Sequence, residues 1–126
     1  MSYTCLLADD DASIRELIKE ILDYPGLTII EVNNGDEAIG VLKNHPVDFL
    51  ITDLVMPQKN GIDVILEVRK SYPLLPIIAI SGGGGITGQF DYLPVAGLVG
   101  AAWEISKPFS PDDLKKAVDE ALLIKK

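Results

Sequence analysis

Five short apolar runs recur along the chain, at residues 4–8, 28–32, 49–52, 77–81 and 103–106, and segments of helical periodicity separate them. The runs are rich in β-branched residues and leucine and are nearly continuous rather than alternating. Such runs suit parallel strands buried on both faces. Between the first two, Ile14, Leu17, Ile18, Ile21 and Leu22 fall at i, i+3, i+4, i+7 and i+8, one stripe of a helix. A shorter second helix is expected around residues 35–44, and a third, with Ile62, Ile65, Leu66 and Val68, has a broad apolar face. A fourth falls within residues 87–98, interrupted by Pro94 and Gly97. The last has the clearest start: Ser110 is a good N-cap, Pro111 fits the first helical position, and Asp112 and Asp113 favour the positive end of the dipole. Leu114, Ala117, Val118, Ala121 and Leu122 form its buried side. Breakers stand where elements should stop, at Tyr24-Pro25-Gly26, His45-Pro46 and Tyr72-Pro73. Five strands alternating with five helices predict an α/β fold, a parallel sheet wound on both faces through right-handed crossovers. A length of 126 residues suits one domain, 1–126.

In an open α/β sheet, ligands bind beyond the carboxyl ends of the strands. The polar residues at those ends are specific. Asp9 and Asp10 close the first strand, Asp53 the third, Ser81 the fourth and Lys107 the fifth. If the first and third strands are neighbours, ~4.8 Å apart, three carboxylates converge. Two carboxylates ~5 Å apart repel by ~3 kcal/mol even at an effective dielectric of 20. Such a cluster binds a cation, takes up a proton or splays into water. An all-oxygen donor set selects Mg2+ over Zn2+. His45, the one histidine, sits at an expected helix end and reads as a solvated surface residue. A carboxylate beside Mg2+ can attack a phosphoryl group to give an acyl phosphate, with Lys107 and Ser81 placed to receive the phosphoryl oxygens. Singly, each residue has an ordinary explanation: a strand end, a helix cap, a turn before Met56-Pro57, a surface cation. Together those explanations require four coincidences at one edge of one sheet.

These residues resemble the receiver domain of bacterial two-component response regulators, over nearly the whole chain. The resemblance is carried by Leu6-Leu7-Ala8-Asp9-Asp10-Asp11, by Asp53-Leu54-Val55-Met56-Pro57 followed by Asn60-Gly61, by Ile80-Ser81-Gly82 and by Lys107-Pro108-Phe109. It implies a flavodoxin-like sheet of order 2-1-3-4-5 and a chemotaxis-regulator-like switch. Asp53 would be phosphorylated by a histidine kinase or histidine phosphotransfer protein. Asp10, Asp53 and the main-chain carbonyl of Val55 would hold Mg2+ directly, Asp9 would act through water, and Ser81 and Lys107 would contact the phosphoryl group. It also implies a cis Lys107-Pro108 bond, and a domain that phosphorylates itself at most, rather than an enzyme.

Three positions depart from the family pattern. Glu104 stands where an aromatic switch residue is usual, and Trp103, one residue away, belongs to the opposite face of its strand. Gly82, Gly83, Gly84 and Gly85 lengthen the segment after the fourth strand and suggest a loop that orders on phosphorylation. No Gly-Lys-Ser/Thr follows them, which excludes a P-loop. Val55 and Gly83 occupy positions that tune hydrolysis in the family, and neither can position water, so a long-lived phosphoryl group is expected.

The competing readings are a degenerate receiver acting as a binding module, an aspartyl-phosphate phosphohydrolase and a flavodoxin-like cofactor carrier. The hydrolase would want a second aspartate where Val55 stands. The carrier would want a hydroxyl- and glycine-rich phosphate loop where three aspartates stand. A net charge of −8, with 19 acidic against 11 basic residues, disfavours direct nucleic-acid binding. No apolar run approaches the length of a membrane span, and one cysteine with no secretory signal points to the cytoplasm. The downstream protein target is not encoded in any recognisable motif, and a homodimer is compatible with the sequence without being indicated by it.

Overall fold

The computed structural model describes residues 2–56, 61–81, 97 and 100–125. Five parallel strands, β1 (Tyr3–Ala8), β2 (Leu27–Val32), β3 (Phe49–Asp53), β4 (Ile77–Ser81) and β5 (Trp103–Ser106), form one sheet in the order β2-β1-β3-β4-β5. Four helices are described: α1 (Ala12–Ile21), α2 (Gly35–Asn44), α3 (Gly61–Ser71) and α4 (Pro111–Lys125). The fourth helix expected within residues 87–98 lies outside the described residues apart from Gly97, and the glycine run at 82–85 lies outside them entirely.

Local chemistry starts three of the four described helices. The Asp11 side chain accepts from Ser13 N–H at 2.9 Å and caps α1. Asn34 accepts from Glu37 N–H, satisfying an orphan donor at the start of α2, while the Glu37 carboxylate returns to Asn33 N–H just before the cap. Ser110 Oγ accepts from Asp113 N–H at 3.1 Å, as the last helix's sequence predicts.

The sheet divides the core. On one side Leu6, Leu50, Ile77 and Ala79 meet α2 and α3 through Ala38, Leu42, Val64, Ile65 and Val68. On the other Cys5, Leu7, Ile51, Ile78 and Ile80 meet α1 and α4 through Ile18, Leu22, Leu114, Val118 and Ala121. Helices on both faces are what continuous apolar strands require, and β3 and β4 are buried at every residue. The two edge strands differ from the expectation of continuous burial: Thr28 and Glu31 in β2, and Glu104 and Ser106 in β5, are exposed. Each edge strand has a neighbour on one side only, so part of its surface stays wet.

Helix phases also shift slightly from the sequence reading. Leu17 lies at the rim of the α1 stripe and Leu66 faces out from α3, where Val64 is the buried residue instead. Cys5 is fully buried, and burial pushes its thiol pKa up, out of the reactive range. His45 follows α2 on the surface.

Candidate functional site

The strand register assembles the site. Ala8 pairs with Thr52, so the next residues, Asp9 and Asp53, emerge side by side from adjacent strands. β1 stops at Ala8 and β5 at Ser106, placing Asp9, Asp10 and Lys107 just past their strands, whereas Asp53 is the last residue of β3 itself. Asp53 pairs with Ile80, so Ser81 stands one residue further along β4. The Ser81 carbonyl accepts from Lys107 N–H at 2.6 Å, which ties the last two of these residues together through the main chain.

Carboxylate oxygens of Asp9, Asp10 and Asp53 come within 4.8 Å of one another. Asp9 and Asp53 are buried and Asp10 is exposed, so the cluster opens to solvent at Asp10. The Lys107 ammonium donates to Asp9 Oδ2 at 3.1 Å and lies 3.5 Å from Asp53 Oδ2. Asp11, third of the run, takes no part: its side chain is spent on the α1 cap. Ser81 is buried at the end of β4. Val55, two residues beyond Asp53, is more than half exposed. The Lys107-Pro108 bond is cis.

The charges do not balance. Burial pushes the Asp53 pKa up to about 6; Lys107 pulls it back, Asp9 pushes it further up, and the Leu54 and Val55 amides lower it. One of those amides, Leu54 N–H, donates to Asp53 Oδ1 at 2.9 Å. One lysine thus faces three carboxylates, and a hard divalent cation would relieve the excess. The donor set is all oxygen, partly open and of a reach suited to Mg2+ with water completing its shell. The residues present fit the ion.

Two supports were not singled out from sequence as site residues. Gly61 N–H donates to Leu54 O at 2.9 Å and ties the start of α3 to the residue after Asp53. Arg15 Nη1 donates to the Asp9 carbonyl at 2.6 Å. The available signal for Arg15 was its awkward place: a cation in the opening turns of a helix opposes the dipole. Near β5, Trp103 packs on the α1 and α4 side, its Nε1–H donating to Glu120 at 2.8 Å. The Glu104 carboxylate lies on the other face, where a Cβ on Gly97 would meet its Oε1 at 2.5 Å. Trp103 and Glu104 therefore present to opposite faces of β5.

A family model described as the response regulator receiver domain matches residues 5–119. The chain belongs to that family, a signalling domain of two-component systems. Response regulator GtcR of Aneurinibacillus migulanus is 38% identical over 112 residues, covering 88% of this chain and 44% of that protein. The chain spans less than half the length of that relative. A response regulator receiver domain protein from Clostridium thermocellum has a TM-score of 0.83 at 27% identity, covering 98% of this chain and 96% of that one. The response regulator TrrA of Thermotoga maritima, solved in complex with Mg2+ and BeF, gives a TM-score of 0.80 at 29% identity over 94% of this chain and 98% of its own. No described helix is long and apolar enough to cross a membrane.

Proposed function

We propose that Asp53 is the phosphoacceptor of this receiver and that its phosphorylation, dependent on Mg2+, switches protein–protein interactions. The observation that carries the reading is the position of Lys107 Nζ, 3.1 Å from Asp9 and 3.5 Å from Asp53, within a three-carboxylate cluster. In the reaction an Asp53 carboxylate oxygen attacks phosphorus. The bond from phosphorus to the donor breaks, and the leaving group keeps the electron pair. With a histidine kinase or histidine phosphotransfer protein as donor, that bond is N–P, and the leaving imidazole takes up a proton.

Asp10, Asp53 and the Val55 carbonyl would hold Mg2+, with Asp9 acting through water, and the ion would neutralise charge on the incoming phosphoryl oxygens. Lys107 would exchange part of its pairing with Asp53 for a phosphoryl oxygen, and the Ser81 hydroxyl would donate to another. The Asp53 carboxylate must be ionised to attack; burial opposes ionisation in the empty pocket, and a bound cation would favour it. Turnover is not required: the domain acquires and later loses its own phosphoryl group.

A phosphohydrolase is disfavoured because Val55 offers no acid or base two residues after Asp53. A degenerate receiver is disfavoured because Asp10, Asp53, Ser81 and Lys107 are all present. The partners in this reading are a kinase or phosphotransfer protein and a downstream protein target, in the cytoplasm; an acidic surface makes nucleic acid and membranes unsuitable partners for this domain. Intact-mass spectrometry after incubation with Mg2+ and acetyl phosphate tests the proposal. One phosphoryl adduct, absent from Asp53→Asn, is expected; no adduct from acetyl phosphate or from a cognate kinase would leave only the binding-module reading.

A further inference from the structure

Asp9 is held at every polar function it has. Its N–H donates to Val32 O at 3.2 Å, its Oδ1 accepts from Asp11 N–H at 2.9 Å and its Oδ2 accepts from Lys107 at 3.1 Å. The remaining function, the carbonyl oxygen, accepts from Arg15 Nη1 at 2.6 Å. Arg15 is itself anchored, because its Nε donates to Glu31 Oε1 at 3.0 Å. The other Glu31 oxygen is paired with Lys19 at 2.9 Å. Bonds from Lys19 and then Arg15 hold the Glu31 carboxyl below its ordinary range. The guanidinium is a fork with one arm on the turn between β1 and α1 and the other on β2. Its place in the opening turns of α1 works against the helix dipole, so helix stability does not explain it.

We infer that Arg15 is a positioning residue for the acidic pocket: by tying the Asp9 carbonyl to Glu31 of β2, it fixes the turn that carries Asp9 and Asp10 toward Asp53. The inference rests on the pocket being a Mg2+ site. Two effects of Arg15 on that ion oppose each other. Its charge repels a dication, but the Glu31 carboxylate paired with it at 3.0 Å offsets much of the repulsion. Its bond to the Asp9 carbonyl holds the main chain between Asp9 and Asp10, and ligand placement is the larger effect for an ion that demands near-ideal geometry. Lysine retains the charge but not the planar fork, so it cannot hold both partners in the same way.

Calorimetric titration of Mg2+ into the purified chain, its fold checked by circular dichroism, separates these effects. Arg15→Ala is expected to weaken Mg2+ binding about tenfold, the usual lower bound for an outer-shell support of a metal site. Arg15→Lys recovers only part of this, and Glu31→Gln weakens binding in the same direction by less. Phosphorylation by acetyl phosphate falls in Arg15→Ala at low Mg2+ and returns to the wild-type rate at saturating Mg2+ while the circular dichroism stays unchanged across that range, a combination that a general loss of fold would not give. Unchanged or tighter Mg2+ binding in Arg15→Ala overturns the inference, and Glu31→Gln decides by the same criterion if Arg15→Ala does not fold. Failure of the wild-type chain itself to bind Mg2+ overturns the reading of the pocket, an outcome distinct from equal binding by wild type and variants.

Discussion

Gly61 stands directly against the main chain of Asp53. A Cβ at Gly61 would sit 2.6 Å from Leu54 Cα and closer still to the Asp53 carbonyl oxygen. The end of β3 and the start of α3 are therefore in backbone-to-backbone contact, and the position of the Asp53 carboxylate depends on a residue that has no side chain. Gly61→Ala must push α3 away from β3 or move Asp53. The expected cost is about 1–3 kcal/mol in urea unfolding, in the range of overpacked cores, together with slower phosphorylation of the folded fraction.

The raised pKa of Asp53 makes a stability prediction for the Mg2+-free protein. Its folded value of about 6 lies above the ordinary 3.8, so the folded state holds this proton more tightly than the unfolded chain. The associated stability is fully present below pH 3.8 and is lost as pH rises through about 6. Asp53→Asn removes the ionisable group. At neutral pH the variant should be more stable than wild type by about 1–3 kcal/mol, and the difference should vanish near pH 4. Thermal or urea unfolding across that range measures it. Saturating Mg2+ should stabilise the wild type and narrow the gap.

Lys107→Met keeps much of the apolar stem and removes the charge. Lys107 is the strongest influence lowering the Asp53 pKa, so in the Mg2+-free protein the variant should ionise Asp53 at higher pH than wild type, which a carboxyl NMR titration measures. The phosphorylation rate with acetyl phosphate at neutral pH and saturating Mg2+ should fall about a hundredfold, comparable to losing one preorganised charge-stabilising donor. An unchanged rate would mean that Lys107 serves only to pair with Asp9.

Much of this site was legible because its chemistry lies at strand ends. Asp9, Asp10, Asp53, Ser81 and Lys107 each follow or finish an apolar run, and a parallel sheet gathers such positions at one edge. The sheet order came from resemblance rather than periodicity, because apolar strands do not announce their neighbours. Within Asp9-Asp10-Asp11 the strand-end pair Asp9 and Asp10 was legible, and the structure gathers those two with Asp53. Which of them is buried was not legible from the residues, because that depends on where the chain turns; Asp9 is buried while Asp11 is claimed by the helix cap. Leu66 and Val64 were misordered for a similar reason: several apolar residues within one helical turn leave its phase undetermined until packing selects it. Gly61 was visible as part of a motif but not its contact with the Asp53 main chain, and Arg15 acts on a main-chain carbonyl that no side-chain pattern records.

Val55 bears on how long the signal lasts. Its side chain is apolar and more than half exposed beside Asp53, with nothing to orient an attacking water. The isolated phosphoprotein should therefore lose its phosphoryl group slowly, and Val55→Asn, which supplies an amide, should shorten the lifetime severalfold. Following the decay of the intact-mass adduct after removal of the phosphodonor measures both.

The central claim is that the phosphoryl group goes to Asp53 and to no other carboxylate in the cluster. Borohydride reduction of the phosphorylated chain converts an aspartyl phosphate to homoserine, and peptide mass spectrometry then reports the position. The account predicts homoserine at residue 53 only when Mg2+ and phosphodonor are both present. Homoserine at Asp9 or Asp10, or at residue 53 to the same extent without Mg2+, would contradict it.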